Sequence, residues 1–402
     1  MTVKPMTVLA ITGARVLTAG RAARPPETIL VQGGVIAAVG ADVEIPGSAR
    51  RIDAAGGSVT PGLIDAHCHA YGVSLSLDEL EKWPLSYVAL KGAGRLGAAL
   101  RRGFTTVRDV GGGDPGLAKA IREGVIPAPR YLWTGPALSQ TGGHGDGRAP
   151  LSDDPDYCGC ATNVVDGVEA VRKRVRQLLR QGAHAIKLLT SGGVVSPTDP
   201  LEAPQYSAEE IAAACQEADR RGAYVTAHAY SPDAIVHSMR NGVRCVEHGN
   251  LLDAPTAAEM AERGVALVPT LVTYDAMDRR GSEVGLSEAG RAKNTAVLDA
   301  GKTAIRLARA AGVRIGFGTD LMGDLEDEQL QGLRLQCEVE GIERAVESAT
   351  AANAAILGLA GRIGLIAPGA AADLLVFQGD LRQNPELLWQ GDRAVIQAGA
   401  IL

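Results

Sequence analysis

Apolar and polar residues alternate in short blocks along the 402-residue chain, and the texture of those blocks changes twice. Over residues 8–60 the apolar segments are brief, β-like and broken by Gly or Pro: VLAITGARVL, ETILVQGG, VIAAVG and RIDAAGGSV. The same texture returns near the C-terminus in ADLLVFQG and RAVIQAGAIL. The two ends predict one small β-sandwich domain built from residues 1–60 and 360–402. Between them, over 61–359, short apolar runs alternate with amphipathic helical stretches, the pattern of repeated βα units. Eight runs carry it: LIDAHCH, FTTVRDV, RYLWTGP, AIKLLT, YVTAHA, RCVEHG, ALVPTL and RIGFGTD. The helical stretches VEAVRKRVRQLLRQG and AEEIAAACQEADRRG each finish on Gly, a common helix stop. Eight strands with intervening helices over about 300 residues predict an α/β fold, a (β/α)8 TIM-like barrel. A doubly wound open sheet is the alternative, but it leaves unexplained why polar residues gather at the ends of these runs.

Composition narrows the function classes. A net charge of -6 gives no basic footprint, so a nucleic-acid partner is not expected. The six cysteines are scattered and form no disulfide framework, which suits a reducing compartment. Cys158 and Cys160 flank one glycine with no second pair to complete a zinc site, and they read as an ordinary loop. Gly13 and Arg15 interrupt the apolar start, so no secretory leader is expected, and no run reaches the roughly 20 apolar residues of a membrane span. The cytoplasm is the expected location.

Barrel chemistry sits at the C-terminal ends of the strands. The polar residues there are His67, His69, Lys187, His228, His248 and Asp320. Side chains two apart on a strand face the same way, so His67 and His69 share a side and can grip one ion, with Cys68 turned from it. Two polar residues in a turn are the plainer reading of that pair. Lys187 lies among apolar neighbours in AIKLLT, and burial favours its neutral amine. Such an amine can add carbon dioxide to form a carbamate able to bridge two metals; a lysine paired with a buried acid is the alternative. His228 and His248 end successive strands and can hold a second ion, although either alone reads equally as a core histidine. Asp320 closes the eighth run, where it can touch a metal and act as general base. Two divalent ions against carbamate, Asp320 and hydroxide leave a small positive excess, enough to polarise a carbonyl. His184 and His237 fall on helical or surface stretches and read as structural.

PGLIDAHCH, the strand lysine, the histidines of AHA and EHG and the aspartate of GTD, in that order, resemble the amidohydrolase superfamily. The resemblance covers nearly the whole chain, including the split β ends and the closing PGAAADLLVF. It implies two divalent metal ions, usually Zn2+, with Lys187 carboxylated. His67, His69 and Asp320 would hold one ion and His228 and His248 the other, with Lys187 and a hydroxide bridging. Zinc, manganese, cobalt and iron all suit such a donor set. Superfamily members that deaminate with one metal generally lack this lysine, which argues against a deaminase. Barrels of this kind commonly form homo-oligomers, an octamer among them.

Finer similarity points to the prolidase-like branch, which cleaves dipeptides and N-acyl amino acids. Its carriers are TGGHGDGR, SGGVVSP and AHAYS. His144 and Tyr230 are the implied catalytic and substrate-binding residues, with Asp320 and Lys187 at the metals. Arg148 can pair with a substrate carboxylate, though a solvated loop explains it as well. Tyr230 shares the inward face of His228 and can bind a carboxylate or the tetrahedral oxyanion. Val194, Val195, Tyr274 and Met322 lie just past strand ends and are candidate pocket residues. The expected substrate is a small molecule with an amide bond to a C-terminal amino acid: an Xaa-Pro dipeptide or an N-acyl amino acid. Amides of aromatic amino acids, such as ochratoxin-type mycotoxins, are one alternative, and lactones or phosphotriesters another. A non-catalytic scaffold would have lost ligands, whereas all six positions are filled here.

Overall fold

The computed structural model describes residues 8–148, 159, 161–196, 199–283 and 285–402. Cys158 and Cys160 lie outside the described residues. By internal contacts the chain divides into two compact units. One takes the described residues up to Asp65, with Ala98–Thr106 and Leu333–Leu402; the other takes Ala66–Gly97 and Val107–Gly332.

In the first unit, five strands come from the N-terminal side: β1 (Val8–Val16), β2 (Glu27–Gln32), β3 (Val35–Gly40), β4 (Arg50–Asp53) and β5 (Ser58–Pro61). The sheet they start is completed from the other end of the chain. β15 (Leu374–Phe377), β16 (Arg393–Gln397) and β17 (Ala400–Ile401) extend it in the order β17-β16-β15-β5-β1-β2-β3, with β4 also pairing β1. The sheet is mixed: β1 runs antiparallel to β2 but parallel to β4 and β5. Its apolar face includes Leu9, Ile11, Ile29, Val31, Val59, Leu374 and Ile396, all buried in one cluster. These are the short β-like blocks of the two ends, and their shared apolar face is what joins them.

The barrel strands are β6 (Leu63–Cys68), β7 (Phe104–Asp109), β8 (Arg130–Trp133), β9 (Ala137–Ser139), β10 (Thr162–Val164), β11 (Ile186–Leu189), β12 (Val225–Ala229), β13 (Cys245–His248) and β14 (Ala266–Val268). The third predicted run, RYLWTGP, supplies β8 and ends just before β9, a strand not foreseen in the sequence. β8 joins the β6-β7-β8 sheet, while β9 pairs β11 and continues through β12, β13 and β14. Gly135, at φ +78, sits at the break between the two pieces.

The eighth run, RIGFGTD, makes no extended strand of its own but closes the circle by hydrogen bonds on both sides. Toward β14, the Leu267 N–H donates to the Arg314 carbonyl at 2.9 Å and the Gly316 N–H to the Leu267 carbonyl at 2.8 Å. Toward β6, Ala66 donates to Phe317, and Thr319 and Asp320 donate to the His67 carbonyl. Gly318 permits this approach, because a Cβ there would stand 2.5 Å from that of His67. The ring of ladders is therefore a closed α/β barrel and not an open doubly wound sheet.

Helices on the outside follow the sequence signals. Val168–Gln181 stops at Gly182 in the left-handed conformation, φ +99. Ala208–Asp219 opens with a capping box between Ser207 and Glu210, and Gly222 turns the chain three residues past its end. Val171, Val175, Leu178, Ile211, Ala214 and Ala218 on these two helices are buried with Leu138, Ile186, Leu188 and Val225 of the strands. That packing faces one side of the strands toward helices and leaves their alternate positions for the barrel interior.

Candidate metal centre

Strand alternation and two backbone irregularities bring the polar strand-end residues together. His67, buried at the end of β6, places Nε2 3.3 Å from Asp320 Oδ1. His69, two positions on, puts Nε2 2.9 Å from the same oxygen. The two rings stand 5.2 Å apart. Among the described residues, His67, His248 and Asp320 form a cluster whose ligand-type atoms all lie within 4.8 Å of one another. His228 adjoins it through a ring contact of 4.5 Å with His248.

Two of the cluster's members hold left-handed backbone, His248 at φ +74 and Asp320 at φ +54. Such a conformation costs a non-glycine residue on the order of 1 kcal/mol or more. For His248 it explains an apparent contradiction. Glu247, just before it, already points into the barrel, so regular alternation would turn His248 outward. The φ reversal swings the imidazole back inside. Consecutive residues 247 and 248 thus both serve the interior.

The proton positions favour a cation here. His69 Nδ1 donates to the Gly111 carbonyl at 3.1 Å, an acceptor-only partner, so in the neutral ring Nε2 carries a lone pair. His67 Nδ1 donates to the Glu247 carboxylate at 2.7 Å, with the same result. Two imidazole lone pairs then converge on one carboxylate oxygen. A proton or a metal ion must sit among them, and histidine nitrogen with carboxylate oxygen is a donor set suited to zinc and its neighbours. Asp320 stays ionised: burial works to raise its pKa, but His67, His69 and His248 hold it well below the usual range. Burial and the neighbouring His228 push His248 well below the ordinary imidazole value, and burial and His144 do the same to His228, so both are neutral donors.

Lys187 lies on β11 with its side chain buried. Its Nζ has no hydrogen-bond partner among the described residues. Burial lowers its pKa to about 8, against the opposing pull of Glu247 and Asp320. An amine without a partner beside neutral histidines is costly as an ammonium ion.

These groups open into a cavity of about 110 Å³ at the C-terminal ends of the strands. Leu75, Val110, Leu189, Val194, Val195, Met277 and Met322 give it apolar walls, while His144, Tyr230, Thr273 and Tyr274 supply polar atoms. His144 stacks on His228 with ring centroids 4.4 Å apart. Its Nδ1 meets Ser196 Oγ at 2.9 Å, and Ser196 in turn donates to Asp199. Tyr230 is buried, with its ring 4.9 Å from that of His228. Val195 is 37% exposed at the rim. Arg148 is not part of this lining; its guanidinium forms a fork on Asp146, at 2.7 Å from Nε and 2.6 Å from Nη2. His184 and His237 are away from the cavity, the latter bonded to the Tyr206 carbonyl at 2.9 Å.

Residues 58–398 match the model of the amidohydrolase family. The chain belongs to that family. Among solved structures, this amidohydrolase is similar to a prolidase complexed with N-methylphosphonate-L-proline, with 40% identity and a TM-score of 0.95, covering 98% of this chain and 99% of that one. It also resembles a Xaa-Pro dipeptidase with methionine bound in its active site, at 27% identity and a TM-score of 0.88 over 98% and 100% of the two chains. Ochratoxinase of Aspergillus niger is 33% identical over 311 residues, which is 73% of this amidohydrolase and 64% of ochratoxinase. The matched stretch thus spans somewhat less than two thirds of that relative's length.

Beneath the His67, His248 and Asp320 cluster the amidohydrolase carries an ion pair that the strand-end pattern does not reveal. Arg108, fully buried on β7, donates Nη2 to Glu247 Oε1 at 2.5 Å and Nε to the Ala66 carbonyl at 2.6 Å. Thr226 donates to the same Glu247 oxygen. Glu247 therefore receives Arg108, Thr226 and His67 and fixes which His67 nitrogen carries the proton. The available signal was a charged residue inside the strand run FTTVRDV, like Lys187 in AIKLLT, although Asp109 beside it offers a nearer explanation for the charge.

Proposed function

We propose that this amidohydrolase is a metal-dependent hydrolase that cleaves the amide bond to a C-terminal amino acid, with Xaa-Pro dipeptides and N-acyl amino acids as substrates. The observation that carries the reading is the buried Lys187 amine, without a partner, beside the His67, His248 and Asp320 cluster. A neutral amine there can add carbon dioxide, forming an N–C bond and releasing a proton, to give a carbamate. His67, His69 and Asp320 would hold one divalent ion, His228 and His248 a second, and carboxylated Lys187 both, with zinc the expected metal. Ions so bound supply Lewis-acid polarisation of the amide carbonyl and lower the pKa of the attacking water.

The chain's own residues do the remaining work. Asp320, ionised in its histidine cage, accepts the water's proton and delivers it to the leaving nitrogen. Tyr230 donates its hydroxyl to the oxygen that becomes negative in the tetrahedral state. His144, braced through Ser196 and Asp199, binds the substrate, and Val195 shapes the rim. Arg148 remains a candidate partner for the substrate carboxylate, which Asp146 would have to share. Similarity to the prolidase and the Xaa-Pro dipeptidase supports the choice of bond.

A second reading, hydrolysis of aromatic amino-acid amides of the ochratoxin type, is favoured by the similarity to ochratoxinase and by the apolar cavity walls. We further propose a β-sandwich domain from 1–60 and 360–402, a barrel domain over 61–359, a cytoplasmic location and a homo-oligomeric assembly. Among the described residues no helix is long and apolar enough to cross a membrane.

Metal content per chain, measured with turnover of Xaa-Pro, N-acyl amino acid and aromatic amide libraries, tests the reading. About two metals per chain and release of free amino acids are expected, with Asp320→Asn losing at least about a hundredfold in rate while keeping its metal. Two metals with activity only on lactones or phosphotriesters would overturn the bond assignment, and no metal after reconstitution with zinc and bicarbonate would overturn the ligand assignment.

A further inference from the structure

On one side of the centre, three hydroxyls and an imidazole form a continuous chain. His248 Nδ1 lies 2.8 Å from Thr270 Oγ1 and 2.9 Å from the Tyr274 hydroxyl. Thr270 also reaches the Tyr274 hydroxyl at 3.3 Å. The Tyr274 hydroxyl is in turn 2.8 Å from that of Tyr230, whose ring stacks on His248 at 5.2 Å. All four side chains are buried, and Tyr230 and Tyr274 both line the cavity.

Each hydroxyl has one proton to give, and Thr270 gives its own to the Tyr274 oxygen, so the rest of the chain can run in two directions. If His248 Nδ1 is bare, Tyr274 donates to it and Tyr230 donates to Tyr274. The Tyr230 proton then points away from the cavity. If Nδ1 carries the proton, His248 donates to Tyr274 and Thr270, Thr270 donates to Tyr274, and Tyr274 donates to Tyr230. Every acceptor is then satisfied, and the Tyr230 proton is the one left over, free to point into the cavity. With two hydroxyls occupying Nδ1, Nε2 is the nitrogen His248 has left for an ion. Binding through it leaves the ring proton at Nδ1, which selects the second direction.

We propose that Tyr274 is a positioning residue that makes Tyr230 a hydrogen-bond donor to the substrate, by relaying the donor direction imposed by His248. Tyr274 need not touch the reacting atoms; it occupies the acceptor site on Tyr230 and leaves donation as that hydroxyl's remaining role. The proposal rests on the reading of Tyr230 as the group facing the developing oxyanion. It predicts that Tyr274 matters for a tetrahedral mimic and hardly at all for a product amino acid, a split that general loosening of the pocket would not give.

The test is calorimetric affinity of zinc-loaded protein for N-methylphosphonate-L-proline and for free L-proline, across wild type, Tyr230→Phe, Tyr274→Phe and the double variant. Metal content and melting temperature are measured alongside. Tyr274→Phe is expected to bind the phosphonate about tenfold more weakly, the equivalent of one good hydrogen bond, with proline affinity and metal content unchanged. The double variant should be no weaker than Tyr230→Phe alone, since the relay has no other outlet. Wild-type phosphonate affinity in Tyr274→Phe, or losses that multiply in the double variant, would overturn the relay. A Tyr230→Phe variant as tight as wild type would overturn the oxyanion role beneath it, and a wild type that binds neither probe would overturn the substrate assignment and the relay with it. If Tyr274→Phe fails to fold or load metal, Thr270→Ala decides: it leaves Tyr274 to carry the chain, so phosphonate affinity should stay within about twofold of wild type. A tenfold loss there would count against Tyr274.

Discussion

Glu247 and Glu217 are both carboxylates gathered in by arginine, one under the metal centre and one on the helical exterior. Glu247 is completely buried and meets Arg108, Thr226 and His67 inside the barrel. Glu217, on the helix Ala208–Asp219, collects Arg172, Arg176 and Arg220, of which the last two have side chains 59% and 63% exposed. Both acids titrate low. For Glu247, burial opposes ionisation and Arg108 overrides it. For Glu217, the hydrogen bond from Arg176 leads, and the pKa falls to about 2. The difference lies in what surrounds the partners. Glu217 is itself nearly buried, but three arginines share it and two of them reach solvent, whereas Arg108 is buried with Glu247, and the Glu247 charge is passed on to a metal ligand.

The sharpest way to break the comparison is to delete each acid. Glu247→Ala should destabilise the protein by about 3–5 kcal/mol, because Arg108 is left charged and unpaired in the interior. It should also lose metal, read together by denaturant unfolding and elemental analysis; a stable, fully loaded variant would mean that the pair does not serve the site. Chelation of wild-type protein comes next. At a metal concentration near a hundredfold over Kd, the ions are worth about 2.7 kcal/mol of folding stability, seen as a lower melting temperature. Because Glu217 is remote from the centre, Glu217→Gln should lower stability equally with and without chelator, and a chelator-dependent change would join the two regions. Glu217→Gln itself should stay within about 1 kcal/mol of wild type. The smallest effect concerns pH. Glu217 has its pKa depressed on folding, so its contribution is complete above about pH 4.5, where the unfolded side chain is ionised, and is lost as pH falls toward about 2. The wild-type and Glu217→Gln stability curves should converge over that interval and run parallel above it.

Much of this architecture can be read in the chain. The eight apolar runs became the barrel because period-two alternation and Gly stops are local signals, and His67, His69, Lys187, His228, His248 and Asp320 meet because strand ends share one rim. The misses have non-local causes. Glu247 adjoins His248, and alternation admits only one of the two to the interior; the positive φ that admits both leaves no mark in RCVEHG. Arg108 was visible as a charge in the run FTTVRDV, next to Asp109, but gave no hint of its partner on another strand. Ser196 and Asp199 meet His144 only through the folding of two separate loops. The strand Ala137–Ser139, just past RYLWTGP, was hidden because it chooses different neighbours from the strand before it.

The closure of the barrel also sets an order of events. His69 and Asp320 are separated by 251 residues, and the ladders that seat Asp320 against His67 join the first barrel strand to the last run. Contacts of such long separation form late, because a large loop must be closed before they return any energy. During synthesis, His67 and His69 therefore leave the ribosome long before the carboxylate that completes their cluster exists. Capture of an ion by the His67, His248 and Asp320 set would wait until nearly the whole barrel has been translated.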